Sequence, residues 1–182
     1  MNKLFAGVLM SAASLTLASA SFAATGEAKA EYNAARDAAS AEYKLAHARC
    51  ETLKGNPEEV CEAEAKAVRT RAQGEAMARY KNTLKAHTDA RVDIAKADYE
   101  VAKAKCGSLT GNPKDVCITE AKANKATAIA DAKADKKVVE ARKDARDDKV
   151  DARYKVALQK CDALAGPSKD SCVSTAKLEY GK

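Results

Sequence analysis

The stretch CETLKGNPEEVC, residues 50–61, decides the fold because the chain repeats its pattern twice. The second copy is CGSLTGNPKDVC, residues 106–117, and the third is CDALAGPSKDSC, residues 161–172. Each copy has two cysteines eleven positions apart around a central glycine, and the three copies contain all six cysteines of the chain. Self-similarity at a fixed period is typical of a repeat architecture built from one supersecondary unit.

The similarity extends beyond the cysteines. A tyrosine stands seven residues before each first cysteine, and an Ala-Lys pair follows each second cysteine, so the repeats span about 43–66, 99–122 and 154–177. We expect the repeated tyrosines to pack beside the cysteine pairs rather than to form a recognition surface. These tyrosines are Tyr43, Tyr99 and Tyr154.

The first residues have the pattern of an export signal. Lys3 precedes an apolar stretch over residues 4–17, and the small residues Ser21 and Ala23 suit a cleavage site. This pattern predicts a secretory signal peptide over residues 1–23. Residues 24–182 would then form a single elongated helical domain, periplasmic or secreted. No later apolar run approaches the roughly 20 residues that a membrane-spanning helix needs, so no span is predicted.

Six cysteines at fixed spacing in an exported chain favour disulfides, because oxidising compartments let such bonds persist. The cysteines lie nearly symmetrically about each glycine, which places them opposite one another if the chain reverses there. We therefore predict three bonds: Cys50 with Cys61, Cys106 with Cys117, and Cys161 with Cys172. Zinc sites bring cysteines together at shorter spacings. A redox-active dithiol would need a Cys-x-x-Cys spacing or a lowered pKa, and neither is indicated.

The composition is typical of long helices. Charged residues make up 32% of the chain and aromatic residues 4%, tryptophan is absent, and alanine dominates the apolar positions. Since alanine buries little area, we expect an elongated all-α fold of antiparallel helical hairpins with long, coiled-coil-like helices. Glycine and proline, which mark helix ends, place four helices at about 27–53, 57–107, 113–164 and 168–180.

The turn residues indicate how each helix ends and the next begins. Gly55 and Gly111 suit the left-handed position after a helix, and the Asn-Pro pairs that follow suit an N-cap and a first helical residue. The predicted N-caps are Asn56, Asn112 and, in the divergent third copy, Ser168. Gly74, inside the second predicted helix, is a candidate for a kink because glycine costs about 1 kcal/mol there relative to alanine.

Apolar residues at steps of three and four form a stripe along the third predicted helix, as expected for contact with another helix. Its members are Ala123, Ala126, Ala130, Ala134, Val138, Ala141, Ala145, Ala152 and Val156. Reversing the chain at each cysteine motif predicts that the first and third turns share one end of the molecule. The segment 85–137 would then project from the other end as a two-helix hairpin.

No residue is predicted to be catalytic, to bind a cofactor or to ligate a metal. The only histidines, His47 and His87, would face Glu64 and Asp135 if the hairpins are in register, and polar contacts are the expected roles. No nucleophile has a sequence neighbourhood that would activate it. A catalytic triad assembled from distant positions is left open by sequence alone.

The net charge of +6 raises the question of an anionic partner. The third predicted helix carries a basic column, Arg142, Arg146, Lys149 and Arg153, and an acidic column on a nearly opposite face, Asp144, Asp148 and Asp151. Interleaved charge of this kind is typical of a solvated helix. Nucleic-acid binding would need a more one-sided basic face with stacking aromatics, so it is not predicted. The acidic column would make a weak cation site.

The Ala, Lys, Glu and Asp-rich helices resemble the central helical region of the envelope protein TolA, and the chain is similar to small exported helical repeat proteins of Gram-negative bacteria with paired cysteines. The resemblance is compositional and implies no functional residue.

We expect a non-enzymatic structural or interaction module of the cell envelope that binds an unidentified protein or envelope partner. The alternatives are a periplasmic chaperone-like binder, similar in outline to Skp, and a metal-binding protein. A homo-oligomer formed through the alanine-rich helices is left open.

Overall fold

A computed structural model describes residues 20–182, with side chains from residue 26 onward. The predicted signal peptide lies largely outside the described residues. The described chain is all-α and without strands, and its helices are α1, Ala20–Cys50; α2, Asn56–Lys81; α3, Leu84–Lys105; a short 3-10 turn, Cys106–Ser108; α4, Gly111–Cys161; and α5, Gly166–Tyr180.

Each cysteine motif is a reversal between two antiparallel helices closed by a disulfide, as predicted. The three bonds join Cys50 to Cys61, Cys106 to Cys117 and Cys161 to Cys172, with Cα–Cα distances of 5.5, 5.8 and 5.6 Å. The first cysteine of each pair is at most 1% exposed. The central glycines have φ values of +67°, +60° and +55°, a region that side chains rarely adopt, so glycine is required at each turn.

The single helix predicted over residues 57–107 is wrong, because the chain reverses at Asn82 and Thr83. Asn82 takes a left-handed conformation with φ 44°, and its N–H donates to the carbonyl of Ala78. Thr83 then caps α3, its Oγ1 accepting a hydrogen bond from the N–H of Ala86 at 3.1 Å. Asparagine tolerates this conformation and threonine is a favoured cap, so two residues replace the glycine and proline of the other turns.

α2 runs unbroken through Gly74. A Cβ built on Gly74 would lie 3.4 Å from the Cβ of Ala90 on α3. The glycine therefore allows α2 and α3 to approach closely.

The helices form an open row in which each packs mainly on the helix before and after it in the chain. The extra reversal at Asn82 places the first and second cysteine motifs at the same end, where Asn56 Nδ2 donates to the carbonyl of Ala104 at 2.7 Å. The predicted layout, with the first and third motifs together and 85–137 projecting, is therefore wrong. α3 covers only the first half of α4, and the projecting part is the second half of α4 with α5.

The predicted N-caps are also wrong. Asn56, Asn112 and Ser168 lie inside their helices, which are preceded by Gly55, Thr110 and Ala165, none of which makes a side-chain capping bond. The side chain of Asn56 instead joins the two neighbouring motifs. A Cβ on Gly107 would clash with Asn56 Nδ2 in its present position, so a glycine in the second motif leaves room for this contact.

The core is thin and consists almost entirely of alanine and cysteine. The one buried polar residue among those described is Thr88, whose hydroxyl donates to the carbonyl of Leu84 at 2.8 Å. The buried apolar residues are Ala39, Cys50, Ala65, Ala67, Ala76, Ala78, Ala86, Ala90, Ala95, Cys106, Ala121, Ala132, Cys161 and Ala176. Because such a core contributes little apolar area, the disulfides carry a large share of the stability.

Candidate interaction surface

All six cysteines, the site residues predicted from the sequence, form the three disulfides, and no free cysteine occurs in residues 20–182. A thiolate that could act as nucleophile or metal ligand is thus absent from the described part of the chain while these bonds are intact. The cysteines are structural.

The repeated tyrosines are half-buried and pack against the opposing helix of each hairpin. The guanidinium of Arg69 lies 3.9 Å from the ring centre of Tyr43, and the ammonium of Lys125 lies 3.7 Å from that of Tyr99. In the third hairpin the rings of Tyr154 and Tyr180 are 6.1 Å apart. The opposing residue stands eight positions after the second cysteine in every copy, so the contact belongs to the repeat. Sequence reasoning missed this recurring position.

The histidine partners differ from those predicted. His47 Nε2 lies 3.6 Å from Glu62, and its Nδ1 lies 3.4 Å from Glu51. Glu64, the predicted partner, instead forms an ion pair with Lys105 at 2.8 Å.

The partner predicted for His87 is likewise engaged elsewhere. His87 is exposed, and Asp135 pairs with Arg91 at 2.7 Å. In the part of the chain with described side chains, no three His, Cys, Asp or Glu residues are arranged to hold a metal ion.

The charged columns of α4 lie on a segment that is exposed nearly throughout. Lys143 donates to Asp147 at 2.6 Å, and this hydrogen bond lowers the pKa of the Asp147 carboxyl and raises the pKa of the Lys143 ammonium. Lys182 reaches back to Asp151, and that hydrogen bond raises the pKa of the Lys182 ammonium. The pairs stabilise a helix that has little other support here.

A groove of about 770 Å³ runs over α3 between α2 and α4. Its charged side chains are largely paired with one another: Lys66 with Glu62 at 3.1 Å, Lys96 with Asp93 at 2.8 Å and Lys103 with Glu100 at 3.7 Å. Because neighbouring charges of opposite sign offset one another, the groove presents no concentrated field to a charged ligand.

The second groove, about 880 Å³, lies where α5 packs on α4. The Cys161–Cys172 disulfide forms part of its wall, together with Val156, Tyr180 and Glu179. Val156 is 56% exposed. This groove adjoins a long uncovered surface.

That surface is one side of α4. Every residue of the apolar stripe predicted from the sequence is exposed in the structure. We call this stripe the alanine face; it consists of Ala123, Ala126, Ala130, Ala134, Val138, Ala141, Ala145, Ala152 and Val156. The sequence identified the stripe correctly, and no other described helix covers it.

α4 packs through its opposite side. Lys125 and Ala132 face α3, and Tyr154 and Cys161 face α5. At roughly 100° per residue, these positions point away from the alanine face. α3 and α5 therefore contact α4 mainly through its other side, and the alanine face stays exposed along the helix. Lys137 and Asp148 lie among its apolar residues, and Ala152 and Val156 border the groove beside α5.

A search of the described residues finds no helix that is long and apolar enough to cross a membrane. Comparison with protein-family models, with curated proteins and with solved structures found no match to this chain.

Proposed function

We propose that this protein is an exported, non-enzymatic interaction module in which the stapled hairpins hold the alanine face of α4 rigidly exposed to a partner. The observation that carries the proposal is that an apolar stripe runs along a helix of 51 residues and is covered by no other described helix. Contiguous exposed apolar surface typically marks an interaction site.

Export is supported by the predicted signal peptide and by the three disulfides, which persist in oxidising compartments. A chain with so thin a core gains from each bond about 3 kcal/mol in the chain-entropy model. The three disulfides would thus hold α4 extended and exposed outside the cytoplasm, where such bonds persist.

In-cell photo-cross-linking tests the proposed surface. A benzophenone amino acid at Ala145, on the alanine face, is compared with the same probe at Arg146, an exposed neighbour that lies off it. We expect adducts from position 145 in the exported fraction and none above background from position 146. Equal labelling from both positions, or from neither, would contradict the proposal.

A chaperone-like holder of unfolded proteins is the competing function. Large apolar side chains are exposed at scattered points, such as Leu45 at 69% and Leu178 at 83%, rather than gathered in one cavity. The continuous surface consists mainly of alanine, which suits close packing of a regular helix better than capture of varied sequences. Suppression of aggregation of a denatured client at near-stoichiometric amounts would favour the holder instead.

A further inference from the structure

The internal repeat provides a template for what covers the alanine face. The segment between the first and second motifs and the segment between the second and third are equivalent, because each follows one cysteine pair and precedes the next. Residues 61–81 align with 117–137, and residues 84–106 align with 139–161. The first segment folds back on itself as α2 and α3, whereas the second is the single helix α4.

The residues that α2 and α3 bury have counterparts on the alanine face. Gly74, which contacts Ala90, corresponds to Ala130, and Ala90 corresponds to Ala145. Two further pairs on α2 and two on α3 follow the same offsets: Ala67 with Ala123, Ala78 with Ala134, Ala86 with Ala141, and Ala97 with Ala152. Every member on α2 and α3 is buried or half-buried, and every member on α4 is exposed. At these positions the first half of α4 therefore matches α2, and its second half matches α3.

An ion pair of the template is retained as well. Glu64 on α2 contacts Lys105 on α3 at 2.8 Å. The counterparts are Glu120 and Lys160, again a glutamate and a lysine, and both are exposed. They stand 40 residues apart on one continuous helix, which is about 60 Å. They cannot meet within one straight α4, but an antiparallel α4 from elsewhere would bring them together.

The occupant that fits is a second copy of this chain. α4 lacks the Asn-Thr pair that reverses α2 into α3 and has Val138 at the corresponding position, and a β-branched residue is strongly disfavoured in the left-handed conformation of that turn. A second copy supplies an α4 that is already straight. Antiparallel pairing then places the α2-like half of each helix on the α3-like half of the other.

We propose that two chains pair through their alanine faces, antiparallel and about a two-fold axis near Lys137 and Val138. Ala130 of each copy then packs on Ala145 of the other, and Glu120 of each contacts Lys160 of the other, so the interface is isologous. The proposal rests on the proposed function, because it identifies the partner of the same surface.

Cysteine cross-linking of the purified, oxidised protein tests this geometry. Val138 lies on the alanine face next to the expected axis, and Val139 lies off it; both are 48% exposed. Val138→Cys is expected to give a disulfide-linked dimer on mild oxidation, and Val139→Cys is the matched control that stays monomeric. Equal cross-linking of the two, or none from Val138→Cys, would overturn the proposal. Peptide mapping confirms that the three native bonds are intact in both.

A charge exchange tests the register. Glu120→Lys and Lys160→Glu each place like charges at both ends of the homodimer and should weaken self-association about ten-fold by sedimentation. Mixing the two variants restores opposite charges at both contacts, so the mixture should form heterodimers about as tight as the unaltered dimer. A mixture no tighter than the separate variants would overturn the register.

The two proposals fail differently. A purified chain that stays monomeric at all concentrations, while the probe at Ala145 captures another protein in cells, would overturn self-pairing and leave the interaction module standing. A monomer in which α4 folds back at Val138 would overturn both, because the alanine face would then be covered within one chain.

Discussion

The segment α2–α3 and the helix α4 are copies of one sequence pattern in two conformations. Both connect a cysteine pair to the next, and both carry small residues at the positions that α2 and α3 bury against each other. They differ at the middle, where Asn82 and Thr83 stand against Val138, and at apolar positions such as Ile94, which is replaced by Lys149. The first reverses there and buries its alanines; the second continues and exposes them. We infer that the residues at this turn select between a closed hairpin and an open arm.

The largest expected effect comes from transferring that turn. We expect a variant with Val138→Asn and a threonine inserted after it to break α4 and fold its second half onto its first. Small-angle X-ray scattering should then show a clearly smaller maximum dimension. The matched control has Val138→Ala with an inserted alanine, which adds the residue but neither the left-handed asparagine nor the cap. An elongated shape in both variants would show that the turn residues do not decide between the two conformations.

The disulfides distinguish the closed region from the open arm. Replacing Cys161 and Cys172 by serine removes about 3 kcal/mol from a hairpin whose α5 has only 15 residues and packs on α4 alone. We expect α5 to lose its protection in hydrogen-exchange mass spectrometry while α1–α3 keep theirs. The same double change at Cys106 and Cys117 should cause less local unfolding, because the Asn56–Ala104 hydrogen bond still holds that turn. Equal local unfolding in the two variants would count against this difference.

The two segments also differ in one hydrogen bond, the side-chain cap at the start of α3. Thr83→Ala removes the bond to the N–H of Ala86 and should lower the free energy of unfolding by about 1 kcal/mol. Thr110 precedes α4 in the same position but makes no side-chain capping bond, so Thr110→Ala is the matched control with little effect. Chemical denaturation measures both, and similar losses would contradict the assigned role of Thr83.

The smallest effect concerns the acid sensitivity of the bare part of α4, residues 141–149. Because the hydrogen bond from Lys143 lowers the folded-state pKa of Asp147, the pair stabilises the helix above about pH 4 and loses this contribution as the pH falls further. We expect amide exchange in this segment, corrected for its intrinsic pH dependence, to accelerate at acid pH. Asp147→Asn should reduce that response, and an unchanged response would argue that the pair does not support the segment.

The sequence predicts the parts of this fold that depend on local chemistry. The cysteine spacing and the glycines predict the three stapled turns, and the three- and four-residue steps predict the alanine face. The reversal at Asn82 was missed because it uses neither glycine nor proline, although the Asn-Thr pair was a readable signal of a left-handed residue followed by a cap. Because this reversal was missed, the predicted layout placed the second cysteine motif at the wrong end of the molecule.

Other features could not be predicted because they depend on which helices become neighbours. Asn56 matched the pattern of a cap, yet its side chain is used by Ala104, 48 residues away, once the extra turn brings two motifs together. The exposure of the alanine face was equally hidden, since periodicity shows that a stripe is apolar but not whether another helix covers it. The partners predicted for His47 and His87 were wrong for the same reason, because they assumed a register between helices that the structure does not have.

The most direct measurement is the distance across the middle of α4 by pulsed electron–electron double resonance. Spin labels at Asn124→Cys and Arg153→Cys, two exposed positions beside the alanine face, are measured in an excess of unlabelled protein so that distances within one chain dominate. A continuous α4 predicts about 44 Å between these backbone positions. A peak near 10 Å, the spacing of packed helices, would mean that α4 folds back like α2 and α3 and would contradict the account.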